Sequence, residues 1–441
     1  MLSTSAAPRR AVLMVVDGMR ADLVTPELTP NLHALAERSR RFSEHRSVFP
    51  SATRVNSASI ATGCHPARHG LMGNTIAFPA GDGWRPVSVG PPGFRDDWRA
   101  ATGRTLWTPV LAERLRGDAV VYSNSSPGAA YMQDPDGFGV LHHRTGTFAP
   151  RPGLEPGAEP EHRRGPLRHG NGVLENLGYD GAGDAAATER FCAALLAEPA
   201  PSLWTLWLCE PDHSQHELEL GSPEHRVVLE GADRRVALVA ETVAALRSRG
   251  EDILFVVCSD HGHETVEAVV PVADHLVEAG LKAAPDSPET VLASSGMGAL
   301  IYLGGNDAPD AASIAGWLRD QPWCGRVFAG EDLSDVGLRP GAGPAVAFGM
   351  AKREASNRFG IPGLGHVAVD GFMTSEAPGL GNHGGLGPYE TRPVLIVSGG
   401  GFAPGRSREP TSAVDIAPTI LRHLGAAELD PPMDGRPLPP H

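Results

Sequence analysis

Three short apolar runs that each deliver a carboxylate constrain this chain more than any other feature. Ala11–Val16 (AVLMVV) ends at Asp17, Leu203–Cys209 (LWTLWLC) is followed by Glu210-Pro211-Asp212, and Ile253–Val257 leads into Ser259-Asp260-His261-Gly262-His263. Runs that are apolar at nearly every position, and not only at alternate ones, fit strands buried on both faces in the interior of a parallel sheet. Ligands in open α/β sheets collect at the carboxyl ends of such strands. The runs predict an α/β fold with Asp17, Asp212 and Asp260 where a ligand would sit.

Helix patterns separate these runs. Thr29-Pro30-Asn31 opens a helix with Leu32, Leu35 and Ala36 on one face, Ala185–Leu196 reads as another, and Arg226–Arg247 as a long amphipathic one. A second strand is expected over Phe42–Phe49, a helix over Leu106–Leu115 and a strand over Ala119–Tyr122. Length and pattern are consistent with one large α/β domain over 1–441 interrupted by two insertions, or with two to three units. One insertion, over 75–170, carries Pro/Gly clusters and is expected to be partly irregular and to form a lid. The other, over 270–375, is expected to be α+β.

A formal net charge of −14 gives no basic footprint for a nucleic-acid backbone, so no polymeric nucleic acid is expected as a partner. Of 38 basic residues only Lys282 and Lys352 are lysines. Five cysteines without a CxxC pair read as reduced thiols of a cytoplasmic protein, and no run is long enough to predict a membrane span.

The segment Pro50–Asn74, PSATRVNSASIATGCHPARHGLMGN, places Thr53 at the end of a strand pattern and the start of a helix of small residues. Alone, such a Thr reads as a helix cap. Its company is Asp17, Asp212, His216, Asp260, His261 and His383, the last within the glycine-rich loop Gly379–Gly385. Carboxylates, imidazoles and one hydroxyl suit a borderline divalent metal, and seven such groups fit two ions better than one. Each residue also has a plain reading, as a solvated strand end, a loop cap or an exposed turn.

With VVDGMR, TPNL, EPDHSQH, SDHGH, GNHGGLG and the terminal DIAPTIL and MDGRPL added to that segment, the chain resembles the alkaline phosphatase superfamily, within it the nucleotide pyrophosphatase/phosphodiesterase branch. The resemblance implies an alkaline phosphatase-like doubly wound, mostly parallel sheet flanked by helices and a two-zinc site, with Mn²⁺ as an alternative. It implies that Asp17, Thr53, Asp260 and His261 hold one ion and Asp212, His216 and His383 the other. Thr53 would be the nucleophile, forming a phospho-threonine, while Asn74 and the backbone N–H of Arg54 would donate to phosphoryl oxygens. The implied substrates are small phosphodiesters or pyrophosphates. The HGGL around His383 is also similar to phosphonoacetate hydrolase, so a phosphonate hydrolase or phosphomonoesterase is the alternative, and a non-catalytic binding relative is the alternative of another class. Two features stand apart. Cys64-His65-Pro66-Ala67-Arg68 fits the CxPxR pattern of sulfatases but follows the Thr62-Gly63 pair where the sulfatase cysteine precedes it. Arg54 stands where this branch usually has an aromatic residue that stacks on a base, which suits it either to pair with a second anionic group of the substrate or to form a structural salt bridge. Tyr131, His142, His143 and Arg144 are further candidates for substrate contact within 75–170.

Overall fold

Arg9–Val16 lies inside a ten-stranded sheet, and its neighbours are the other two acid-bearing strands, Leu203–Leu208 and Asp252–Cys258, both parallel to it. The computed structural model describes residues 9–144, 146–149, 161–163, 181–305, 308–369, 376–426 and 431–441. Across the sheet the order is Gly405–Ser407, Arg40–Phe42, Leu395–Ser398, Asp252–Cys258, Arg9–Val16, Leu203–Leu208, Ala119–Ser123, Val140–His143, Gly146–Ala149 and Glu161–Arg163. Pairing is parallel through the centre and antiparallel where Leu395–Ser398, Gly146–Ala149 and Glu161–Arg163 join. Val16 sits opposite Leu208, and Val15 opposite Cys258, so the three strands finish together and release their acids at one edge.

Burial on both sides explains why these strands are continuous in apolar residues. Leu13 and Val15 face a core that also holds Ala58, Ile60 and Ala61 of the helix Thr53–Thr62 and Ile416, Ile420 and Leu421 of Ile416–Leu424. Val12, Met14 and Val16 face the opposite core, packed by the helices Pro30–Glu37, Gly181–Ala197 and Pro223–Ser248. Each fully buried aliphatic side chain contributes about 1.5–3 kcal/mol relative to exposure, so a polar residue within these strands is costly and the acids appear only where the strands stop.

Residues 75–144 are more regular than expected. They form the hairpin Thr75–Ala80 with Gly83–Ser88, the helix Phe94–Thr102 and two strands of the main sheet. The helix expected over Leu106–Leu115 is confined to Leu111–Arg114, because Pro109 disfavours helical backbone at Thr108 and supplies no N–H. The strand expected over Phe42–Phe49 is two short pieces, Arg40–Phe42 and His45–Arg46. The remainder of the expected lid, 150–160 and 164–170, lies outside the described residues.

Two four-stranded sheets occupy the second insertion and reach past the bounds of 270–375. One joins Thr290–Ser294, Gly298–Leu303, Val346–Met350 and Cys324–Ala329, covered by the helix Ala311–Arg319. The other joins Lys352–Ser356, Pro362–Ala368, Glu264–Val270 and Gly381–Asn382. Its strand Glu264–Val270 begins one residue after His263, and Gly381–Asn382 leads directly to His383. This second sheet thus grows from the two loops that carry the histidines.

Candidate metal centre and active site

Thr53 is the first residue of its helix, not the cap. The cap position belongs to Ala52, and the Thr53 hydroxyl lies 3.0 Å from His261 Nε2. Around that hydroxyl the three strand ends and the 379–385 loop converge, and Thr53, Asp17, Asp260, His261 and His383 are all at most 5% exposed.

Four of these groups have one polar atom held by the protein and the other left facing inward. Asp17 Oδ2 accepts from Trp207 Nε1–H at 2.9 Å, while Oδ1 is buried with no hydrogen-bond partner. Asp260 Oδ1 accepts from the Ser259 hydroxyl at 3.2 Å and the Gly18 N–H at 3.3 Å, leaving Oδ2 buried and unpartnered. His261 Nδ1–H donates to the Gly262 carbonyl at 3.1 Å, and His383 Nδ1–H to the Ser51 carbonyl at 2.7 Å. Because a carbonyl only accepts, both rings keep the Nε2 lone pair for the site interior, the arrangement a metal-ligating histidine needs.

The inward atoms form two groups, one of three atoms and one of four. Asp212 Oδ1, His216 Nε2 and His383 Nε2 are separated by 3.6, 3.4 and 3.2 Å. From His261 Nε2 it is 3.0 Å to Thr53 Oγ1, 3.3 Å to Asp260 Oδ2 and 3.5 Å to Asp17 Oδ1. Bonds of about 2.0–2.1 Å at tetrahedral angles set ligand atoms about 3.3 Å apart. The side chains and the unpartnered carboxylate oxygens therefore fit divalent ions in two positions, and Asp17, Asp260 and His261, like Asp212, His261, His263 and His383, group closely enough to hold one.

Electrostatics point the same way. Burial, and then the neighbouring charges of Asp260 and Asp212, hold the Asp17 carboxyl well above its ordinary pKa, and Asp260 is raised by burial as well. Asp212 is pushed up by burial but pulled well below the usual range by His216 and His263. Burial drives His383 well below the ordinary imidazole value, so the ring is neutral and its lone pair available.

His263 is the residue that sequence reasoning missed. It is fully buried, its Nε2–H donates to Asp212 Oδ1 at 2.7 Å, and burial lowers its pKa to about 3, which keeps the ring neutral. That distance is shorter than a ligand-to-ligand edge and matches a charge-assisted hydrogen bond that orients a metal-binding carboxylate. The available signal was spacing: on extended backbone His261 and His263, two apart, share a face.

Below the histidines is a buried ionic knot. Glu390 accepts from the N–H groups of Gly385 and Gly387, both at 2.8 Å, and from the Ser51 hydroxyl at 3.2 Å. Lys352 Nζ lies 2.6 Å from Glu390 and 3.1 Å from Glu264. The loop fits because residue 384 is glycine: its φ is +105°, and a Cβ there would meet the Ser295 carbonyl at 1.5 Å.

Asp17, Thr53, Arg54, Asn74, Asp212, His216 and His383 open onto a cavity of about 190 Å³. The Arg54 N–H, expected to donate to substrate, instead donates to Asn74 Oδ1 at 3.1 Å, which leaves the Asn74 NH₂ as the donor available to the cavity. Of the further candidates only Arg144 lines the cavity. Tyr131 is buried beside Arg95, His142 packs on Tyr122, and His143 is bonded to the Ser125 carbonyl. Cys64 is buried and its thiol pKa raised by burial, the reverse of an activated nucleophile. All five cysteines are free, and no helix among the described residues is long and apolar enough to cross a membrane.

The sequence matches the model of the type I phosphodiesterase / nucleotide pyrophosphatase family over residues 11–315. It is 33% identical over 111 residues to an uncharacterized pyrophosphatase/phosphodiesterase of Schizosaccharomyces pombe, a match that covers 25% of this chain and 22% of that protein. Among solved structures it resembles murine ectonucleotide pyrophosphatase / phosphodiesterase 5, with a TM-score of 0.66 at 15% identity and 97% of each chain covered. An inactive variant of that protein has been solved in complex with AMP. Phosphonoacetate hydrolase from Sinorhizobium meliloti 1021, solved with phosphonoacetate, gives a TM-score of 0.63 at 20% identity over 96% of each chain. Both neighbours belong to the alkaline phosphatase superfamily, whose α/β architecture and large, mostly parallel sheet this chain shares. The chain is a member of the type I phosphodiesterase / nucleotide pyrophosphatase family.

Proposed function

We propose that this chain is a two-metal phosphohydrolase acting on small phosphodiesters or pyrophosphates through a phospho-threonine on Thr53. The observation that carries the reading is the pair of groups of inward-facing donor atoms, one of which contains the Thr53 hydroxyl. Asp17, Thr53, Asp260 and His261 would hold one ion, and Asp212, His216 and His383 the other. Zinc is the first choice for such donors and Mn²⁺ the second. When bound, the ions supply Lewis-acid stabilisation of charge on the attacking and departing oxygens.

The chain's own groups do the rest. Thr53 Oγ, fixed at the start of a buried helix, forms the new bond to phosphorus as the leaving-group oxygen departs. Asn74 is oriented by the Arg54 N–H, so its NH₂ donates to a non-bridging oxygen as charge builds there. His263 holds Asp212 in place. Water then cleaves the phospho-threonine and restores the hydroxyl. Five free thiols support placement in the cytoplasm.

The test is turnover of bis(p-nitrophenyl) phosphate, p-nitrophenyl phosphate and phosphonoacetate by zinc-loaded protein. Preference for the diester supports the phosphodiesterase reading; preference for the phosphonate or monoester moves the assignment to the alternative chemistry on the same site. Thr53→Ala is expected to abolish turnover while most of the metal stays bound. Full activity in that variant would remove Thr53 as nucleophile, and no turnover of any ester by metal-loaded wild type would remove the catalytic reading.

A further inference from the structure

The geometry points to a compact substrate that carries a second anionic group close to the reacting phosphoryl, anchored by the Arg54 guanidinium, and not to a nucleotide gripped through its base. This rests on the two-metal, Thr53-nucleophile reading above, whether the site's chemistry is on a pyrophosphate or on the phosphonate alternative, and narrows its substrate.

Arg54 is the first observation. Its side chain lines the cavity one residue from Thr53, yet among the described residues its guanidinium has no hydrogen bond or ion pair, and Nε is buried without a partner. Space for the group is made by a missing side chain: a Cβ on Gly90 would lie 3.1 Å from Arg54 Nη2. A largely buried guanidinium left unpaired is costly, and its planar fork matches a carboxylate or phosphoryl group in bidentate fashion. The acids in the same site do not answer the need. Asp17, Asp212 and Asp260 would be outweighed by two divalent ions, leaving Arg54 with an uncompensated charge that a singly charged diester cannot fully satisfy. Its position beside the nucleophile restricts the partner to a group only a few bonds from phosphorus.

The second observation is the cavity. At about 190 Å³ it is smaller than the roughly 300 Å³ at which pockets for drug-sized ligands begin. None of the described residues lining it is Phe, Tyr or Trp; the lining includes the amides and hydroxyls of Asn124, Ser125, Ser126, Ser295 and Asn382, with Arg144 as a second guanidinium. A base held by stacking needs an aromatic platform, and the described lining offers none. The second anion can be a carboxylate, as in a phosphonocarboxylate, or a second phosphoryl group, as in pyrophosphate; the chemistry recognised is the same.

The experiment compares kcat/KM of zinc-loaded protein on phosphonoacetate, pyrophosphate, bis(p-nitrophenyl) phosphate and the p-nitrophenyl ester of thymidine 5′-phosphate. At least one of the first two is expected to exceed both esters, and which one does so names the second anion. Arg54→Gln is expected to narrow that preference over bis(p-nitrophenyl) phosphate by on the order of 10- to 100-fold, chiefly through KM. Arg54→Lys, which keeps the charge without the fork, is expected to fall between. A binding readout avoids turnover altogether: in calorimetric titrations of metal-loaded Thr53→Ala, phosphonoformate is expected to bind more tightly than AMP, and adding Arg54→Gln to cost about the same 10- to 100-fold. Tighter binding of AMP, or a preference that Arg54→Gln leaves unchanged, overturns the inference. Turnover of bis(p-nitrophenyl) phosphate together with either result leaves the phosphohydrolase reading standing, so the two failures are separable.

Discussion

In the acid and histidine cluster beside the cavity, Asp17, Asp260, His261 and His383 each have one polar atom tied to the protein and one turned inward. Arg54, one residue from Thr53, lines the same cavity, and among the described residues its guanidinium has no hydrogen bond or ion pair, only the charges of Asp212, Asp17 and Asp260 nearby. The first is set before any ligand arrives, because like charges held together demand a fixed arrangement to bind a cation at all. The second is completed only by what binds. Chemistry would then be common to the family's architecture, while the choice of substrate lies with one unpaired side chain.

If the acid and histidine cluster is pre-set, removing an inward atom has the largest effect. His383→Ala deletes one member of the group of three and is expected to reduce metal content at one position and cut turnover by at least about 100-fold. Elemental analysis beside kinetics checks it, and unchanged metal content would take His383 out of the set.

A smaller effect separates holding from ligating. His263→Ala is expected to weaken metal affinity by about 10- to 100-fold, the usual cost of losing a group that orients a ligand. His263→Gln, which retains an N–H donor, is expected to recover part of that loss. Equal damage from both variants, with a changed absorption spectrum of the cobalt-substituted protein, would make His263 a ligand in its own right.

The smallest effect concerns stability without metal. The raised Asp17 pKa means that the native chain binds a proton the unfolded chain releases. That contribution is present below the ordinary carboxylate pKa and is lost as pH rises through the raised value. Asp17→Asn is therefore expected to raise the Tm of metal-free protein at pH 7 by about 2 °C or more, with the gap closing toward pH 4. A gap of the same size at both pH values would mean that the acids are not in conflict.

Much of the frame was legible because it depends on patterns the chain cannot hide. A strand buried on both faces must be apolar throughout, and Asp17, Asp212 and Asp260 mark where that burial ends. His263 was not legible as a partner of Asp212, since the two are 51 residues apart and meet only because the strand Glu264–Val270 departs beside the main sheet. The Arg54 N–H was assigned to substrate because nothing in the sequence says that Asn74, 20 residues on, would claim it. Within Val140–His143 the partners settle the matter: His143 turns to Ser125 and His142 to Tyr122. The regularity of 75–144 was masked by prolines and glycines that punctuate real elements as readily as loops.

Lys352 gives the insertion a mechanical meaning. The ammonium comes from an insertion strand, whereas Glu264 follows directly on the acid–histidine turn and Glu390 clasps the loop after His383. Prying the insertion away would strand two carboxylates beneath the catalytic loops, an opening more costly than the loss of ordinary surface contacts. Lys352 thereby ties the sheet that holds it to the loops that bear His261 and His383.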